Sequence, residues 1–464
     1  MQPSKFKLVY SNWVEVNGRK IPLANGLHPE IVAWMKSLTK DSSRSFSVNM
    51  SNRIEDFENN FQTPGSGVNF RQGSFLYYFI KHFDFEYVIE ENEINESDDY
   101  IYFLPYEIEL GNMNHLYESF RFYVDGTEHI YNFKDTVSPK IIELIANGKV
   151  KLVLAYPTEP THSIETLNKL AQSLNELGID SDNVYYVAGN NLRNYSGKIN
   201  LISSQASLQQ QAEIAHRYPI EASSLGYQCD YPKITELDSN RIRPKRFLSW
   251  NRTMNRPHRL AIAHLALKYN LLPDSLFSFL NFFPENADEY LGTLINNENL
   301  SEIAQNIKSL IPYEVDTQSL NEQGRQSFQT NENNKKEFYT DTYLHITSET
   351  LFDATNTPFL SEKTFRPILN LQPFIYVGNY KGLEMLRNLG FKTFDGYIDE
   401  RYDQEQDPKT RFSLIEKEVA RFATMTIKEL HDWYFSLTDI LIYNQQHFLS
   451  WNKFNPYQDL FARF

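Results

Sequence analysis

A single cysteine, Cys229, stands in a chain of 464 residues. No intramolecular disulfide can form, and no multi-cysteine metal site is available. Such sparing cysteine usage fits a reducing compartment. Long apolar runs are missing too: no stretch reaches the roughly 18 residues that a membrane-spanning helix requires. Residues 1–17 mix charged, polar and aromatic side chains and lack the continuous apolar segment of a secretory signal. A cytoplasmic location is expected, with a peripheral position on a membrane surface left open. Positive charge is in deficit, with 45 Lys+Arg against 59 Asp+Glu and a net charge of -14. A polyphosphate backbone repels such a chain, so nucleic acid is not expected as a partner, whereas a local basic site for a small phosphate is still permitted. Dinucleotide-binding glycine fingerprints, Walker loops, zinc-protease helices and nucleophile elbows are absent as well.

What is present is ordinary globular composition, 41% hydrophobic and 22% charged, in a length that suits two or three domains of roughly 100–200 residues. Residues 1–60 show only one helical pattern, at 29–38. A turn-rich stretch at 65–73 precedes an apolar, aromatic run at 74–83. Residues 100–105 read as a strand stopped by its proline. Residues 150–156 (VKLVLAY) have the short, β-branched pattern of a buried strand. Ile164, Leu167, Leu170, Leu174 and Leu177 follow with a helical period closed by Gly178, and residues 183–188 (NVYYVA) form the next strand. Strand, helix and strand with short connections imply a parallel pair and a right-handed crossover.

A second α/β series starts at Lys245. A strand at 246–250, a polar loop at 251–257 and a helix at 258–269 lead to a polar helical segment at 286–311. Residues 316–341 read as a flexible insertion. Strands follow at 343–347 and 373–377, with a short one at 392–394. Helices are expected at 361–370, where Ser361 caps and Pro367 kinks or shortens, then at 380–389, 413–424 and 427–448. A boundary is expected near 233–244.

Two constellations carry chemistry. From Arg243 to Arg259, arginine and lysine crowd an otherwise acidic chain, where a strand leads through a loop into a helix start. Backbone N–H groups and the helix dipole favour an anion there, and arginine adds bidentate donors. A solvated basic turn is the plainer reading. The second runs Phe359-Leu-Ser-Glu-Lys-Thr-Phe-Arg-Pro-Ile368, with Thr347-Ser-Glu-Thr350 upstream. Glu362 can accept from both ribose hydroxyls, and Lys363 can hold a phosphate. The alternative is a capped helix with a Glu and a Lys near its start. Asp180-Ser-Asp182 has the spacing of a metal-dependent glycosyltransferase motif, but its place after a helix stop reads as a turn. The aromatic content, 14%, is assigned mainly to core, with stacking on sugars as the other use.

The run Ser361-Glu-Lys-Thr-Phe365, followed by Leu371-Gln-Pro-Phe-Ile-Tyr-Val-Gly378, resembles the donor-binding signature of the α1,3-fucosyltransferase family. Residues 247–259 are similar to that family's strand, asparagine-containing loop and helix-start arginine. Glu349-Thr350 stands where the family has Glu-Asn, so fucose itself is not implied. Residues 361–399 also resemble phage-type and bacterial proteins of glycosyltransferase character. The resemblance implies a GT-B α/β fold, two Rossmann-like domains facing across a cleft. Residues 1–237 would bind the acceptor, 238–425 the nucleotide sugar, and helices in 426–464 would brace the two by packing back on the first. It makes Arg259 and Lys363 diphosphate contacts and Glu362 a ribose contact. Asn251, Arg252, Arg256, Glu349, Thr350 and Ser361 complete the donor set. The partners implied are a nucleotide-sugar co-substrate and a glycan or other hydroxyl acceptor, with no metal and no cofactor. An inverting transfer needs a carboxylate base in the first domain. Glu159, following a parallel strand in Tyr156-Pro-Thr-Glu-Pro-Thr-His162, is the candidate, and His162 is a second. Two other readings compete: a phage-type enzyme acting on a modified DNA base, and a non-catalytic nucleotide-binding scaffold in polysaccharide assembly.

Overall fold

The computed structural model describes residues 139–156, 164–189, 195–203, 208, 212, 231–313, 336–352 and 358–451, together with residue 94 and strand segments at 6–10, 14–16, 19–21, 46–47, 69–70, 86–89, 99–105, 120–124 and 127–131. The chain divides into two compact units, Met1–Ala206 with Asn455–Phe464, and Ser207–Phe454. The expected helix at 29–38, the aromatic run at 74–83, the insertion over 316–335, and Cys229, Glu159 and His162 all lie outside the described residues. No described helix is long and apolar enough to cross a membrane.

The first unit holds a six-stranded parallel sheet built from β1 (Phe6–Tyr10), β2 (Glu86–Ile89), β3 (Asp99–Pro105), β4 (Val150–Tyr156), β5 (Val184–Ala188) and β6 (Asn200–Ser203). Its order is β6-β5-β4-β3-β1-β2. The expected unit of strand, helix and strand is β4, α2 (Ile164–Glu176; α1 is Pro139–Ala146) and β5. Leu167, Leu170 and Leu174 of α2 enter the same core as Leu152, Leu154 and Tyr186. Gly178 closes α2 at φ +75, a conformation in which a side chain would be strained. Asp180 caps the turn before β5, its carboxylate accepting from the Asp182 N–H at 3.2 Å.

The second unit holds a four-stranded parallel sheet of β7 (Lys245–Thr253), β8 (Leu276–Asn281), β9 (Thr342–Ser348) and β10 (Phe374–Val377), in the order β8-β7-β9-β10. Its helices are α3 (Pro257–Lys268), α4 (Ala287–Gly292), α5 (Leu300–Leu310), α6 (Lys336–Thr340), α7 (Glu362–Leu369), α8 (Gly382–Asn388), α9 (Pro408–Thr424), α10 (Ile427–Ser436) and α11 (Thr438–Leu449). The helix α3 is buried almost all round, through Leu260, Ala261, Ile262, Ala263, Leu265 and Ala266, as expected of a helix covered on both sides.

Several expectations are corrected. The division falls at Ser207, not at 237, because Leu208, Ala212 and Tyr231 bury in the second core. The strand β7 runs on to Thr253, so Asn251 and Arg252 are strand residues and not loop. Strand β8 was not anticipated, and 286–311 is two helices broken by the Asn-rich segment between them. A short helix, α6, occupies the end of the expected insertion. Residues 392–394 form no strand. The Lys392 N–H and C=O are instead satisfied by the Asn444 carboxamide, both at 2.8 Å. The helices α10 and α11 are hydrogen-bonded within the second unit. The Tyr434 hydroxyl donates to Leu371 C=O at 2.7 Å, and the Gln445 amide donates to Leu369 C=O at 2.6 Å and Pro232 C=O at 2.8 Å.

A candidate anion site at the switch point of the second sheet

The chain passes from β7 to β8 on one side, then crosses back over β7 to place β9 on the other. The strand order therefore reverses between β7 and β9. In open parallel sheets, ligands bind outside the carboxyl ends of the strands at such a reversal. Two helices start there: α3 directly after β7, with Pro257 in its first turn, and α7 after β9. The two helix N-termini, each the positive end of a helix dipole, thus lie close to one another.

On the β7 side, Arg256 is the residue that caps α3 in extended conformation, and it makes no ion pair among the described residues. Arg259, one turn on, donates through Nη1 to the carbonyl of Thr253 at 3.0 Å and to its hydroxyl. Its Nε is buried without a partner. Burial and the neighbouring Arg256 charge lower its pKa to about 10, against the opposing pull of Glu362 and Glu349. Two cations sit close together with too little negative charge between them, and an incoming anion relieves that repulsion. Burial also lowers Arg252. The Asn251 amide donates to Ser249 Oγ at 3.0 Å, Ser249 donates to Ile346 C=O at 2.9 Å, and the Asn251 carboxamide oxygen is buried without a partner. Asn251 is therefore stitched into the sheet end between β7 and β9.

The β9 side is organised by Glu349, which is 1% exposed. Its carboxylate accepts from the Ser361 hydroxyl at 2.6 Å, from the Ser361 and Thr350 N–H groups at 3.1 Å each, and from the Thr364 hydroxyl. Four donors saturate a buried carboxylate and balance its desolvation. Ser361 Oγ in turn accepts from the Lys363 N–H at 3.3 Å, which fixes the first turn of α7. Lys363 Nζ then reaches Glu362 Oε1 at 3.0 Å, Ser361 Oγ at 3.3 Å and Thr350 Oγ1 at 3.5 Å. Burial pushes the Glu362 carboxyl up, but the charges of Lys363 and Arg366 outweigh it and bring its pKa down to about 2. Glu362 and Lys363 both keep roughly a third of their side chains in solvent, so they remain open to a ligand.

The two sides are joined by His258, which sequence reasoning noted only as a helix start. Buried in α3, it donates from Nε2 to Glu349 C=O at 2.8 Å and stacks on Phe352 at 5.6 Å. Burial, with the charges of Arg259, Arg256 and Lys363 around it, holds its pKa well below the ordinary value. It is a neutral strut that fixes the start of α3 against the end of β9. The signal available in the sequence was an imidazole set among arginines at a helix start.

Of the residues expected to bind donor, Arg256, Arg259, Glu349, Thr350, Ser361, Glu362 and Lys363 come together here. Asn251 and Arg252 lie at the end of β7 beneath them. Searches of family models, curated proteins and solved structures found no match to this chain. What the fold defines is an α/β class with two parallel, Rossmann-like sheets.

Proposed function

We propose that the protein is a nucleotide-sugar-dependent glycosyltransferase of the GT-B kind, with the second unit holding the donor. The observation that carries the reading is the convergence of two helix N-termini, Arg256, Arg259 and the Glu362–Lys363 pair at the switch point between β7 and β9. In this reading Glu362 accepts from the ribose hydroxyls, and Arg259 and Lys363 grip the diphosphate. As the bond from the anomeric carbon to the diphosphate breaks, the guanidinium, the ammonium and the helix dipoles stabilise the charge of the leaving group. That neutralisation does not require a metal ion. The acceptor hydroxyl of a glycan or related compound attacks from the opposite face and inverts the centre. A carboxylate of the first unit takes its proton, and Glu159 is our candidate for it.

The test is a thermal-shift panel of UDP, GDP, CMP and dTDP, with and without Mg²⁺. A ligand at 100 times its dissociation constant stabilises by about 2.7 kcal/mol, a readily measured shift. One diphosphate should respond without Mg²⁺, and Arg259→Ala and Lys363→Ala should each weaken its binding by about tenfold or more, as loss of a charge-assisted hydrogen bond does. Unchanged binding in both variants would sink the site. Silence across the panel would leave the reading without support.

A further inference from the structure

One aromatic side chain at the same sheet edge has no part in the site described above. The strand β8 runs beside β7, with Asn281 paired to Thr253. The next residue, Phe282, is 68% exposed and has φ +58. It makes no ring contact among the described residues. Its neighbour Phe283 turns inward against the core. An exposed phenylalanine in left-handed conformation is doubly disfavoured: the apolar surface faces water, and the backbone suits glycine or asparagine. Stability selects against both features, so a ligand is the physical reason to look for.

Its place identifies the ligand. Phe282 directly follows Asn281, the last paired residue of β8, whose partner Thr253 lies three residues before Arg256. Adjacent strands are about 4.8 Å apart. With ribose at Glu362 over β9 and the diphosphate bridging α7 and α3, one strand step is taken up by the diphosphate. The next step, towards β8, belongs to whatever the diphosphate carries. A phenyl ring has no donor or acceptor and presents only an apolar face, which matches the C–H face of a pyranose.

We propose that Phe282 is the surface on which the apolar face of the transferred hexose packs, and that it is a specificity-determining residue of the donor site. This rests on the glycosyltransferase reading. It is tested by titrating the wild type, Phe282→Gly and Phe282→Trp with UDP and UDP-glucose, GDP and GDP-mannose, and dTDP and dTDP-glucose, with Tm recorded for each protein. For the pair that binds, Phe282→Gly should lose about tenfold in affinity for the nucleotide sugar, as loss of a stacked aromatic does. Affinity for the free diphosphate should stay unchanged. Because glycine suits φ +58, its Tm should be equal or higher, and Phe282→Trp should retain the sugar affinity. Equal losses for diphosphate and sugar conjugate would make Phe282 a nucleobase contact and overturn the proposal. No loss in either, or a loss accompanied by a lower Tm, overturns it as well. If the wild type binds none of the six compounds, the glycosyltransferase reading falls first and takes this inference with it. Diphosphate binding without a Phe282 effect removes only the inference.

Discussion

At the scale of single residues, the two glutamates near the end of β9 divide their labour by environment. Glu362 keeps about a third of its side chain in solvent and can exchange its contact with Lys363 for a ligand. Glu349, directly after β9 and buried, has four donors from its own chain and acts by holding Ser361 and Thr364 in place. The resemblance made both donor-binding residues, and nothing in the sequence separates them, since their difference lies in burial. Glu349→Gln is the sharp test. Its amide nitrogen must face donors that the carboxylate oxygens now accept from, so at least one buried N–H or hydroxyl loses its partner. The expected cost is about 1–3 kcal/mol of unfolding free energy. Nucleotide affinity should weaken too, because the α7 turn loosens. A variant with unchanged urea midpoint and unchanged affinity would show that Glu349 organises nothing.

At the scale of elements, the packing of α8 against the turn at Glu400–Gln404 carries a pH dependence unrelated to the site. Asp403 caps α8, accepting from the Leu383 and Glu384 N–H groups at 2.8 and 2.9 Å. Arg387 reaches Glu400 at 3.1 Å and Asp403 at 3.3 Å. Burial raises Glu400 to about 7, and the hydrogen bonds from Thr393 and the Phe394 N–H, with the charge of the part-exposed Arg387, offset this only in part. A carboxyl raised in the folded state stabilises fully below its unfolded pKa and loses that contribution as pH climbs through about 7. Between pH 5 and 8 the loss is at most about 3 kcal/mol. Glu400→Gln should flatten the decline, and it should also lower stability at every pH, because the Phe394 N–H and Arg387 both donate to the carboxylate and one of them loses its acceptor. Parallel pH profiles in urea unfolding would refute this.

The sequence made the strongly periodic elements legible at this same scale. Leu167, Leu170 and Leu174 gave α2, and the β-branched run of residues 150–156 gave β4. Strand β8 escaped because Leu-Phe-Ser-Phe-Leu-Asn, beside Pro273 and followed by Phe-Phe-Pro, carries no β-branched residue and no clean alternation. The division at Ser207 escaped because Leu208 and Ala212 are isolated apolar positions whose partners lie far along the chain. The donor residues were legible as types at a helix start. That α3 and α7 begin beside one another was not, since it depends on the strand order, which leaves no trace in either segment alone.

At the scale of the whole molecule, both sheets share one strand order. Taken in chain order within each unit, the first strand is flanked by the second and the third, and the sheet then grows outward from the third. Each unit therefore has its own reversal point at the carboxyl edge of a parallel sheet, where ligands gather. An inverting transferase that divides donor and acceptor between two such sheets needs a base on the acceptor side to take the acceptor proton. That requirement separates an enzyme from a nucleotide-binding scaffold, because a scaffold has no use for it. Glu159, three residues past β4 in the sequence, is our candidate. Its removal should leave the donor untouched: Glu159→Gln is expected to bind the responsive nucleotide diphosphate within twofold of wild type. Its kcat should fall by about 100-fold or more, the contribution typical of a general base. The fall should be largest below the pKa of the acceptor hydroxyl, where the proton must be removed during the reaction. Full turnover in the variant would move the base elsewhere in the first unit, with His162 next to be changed. Turnover lost together with nucleotide binding would show that Glu159 serves the fold and not the reaction.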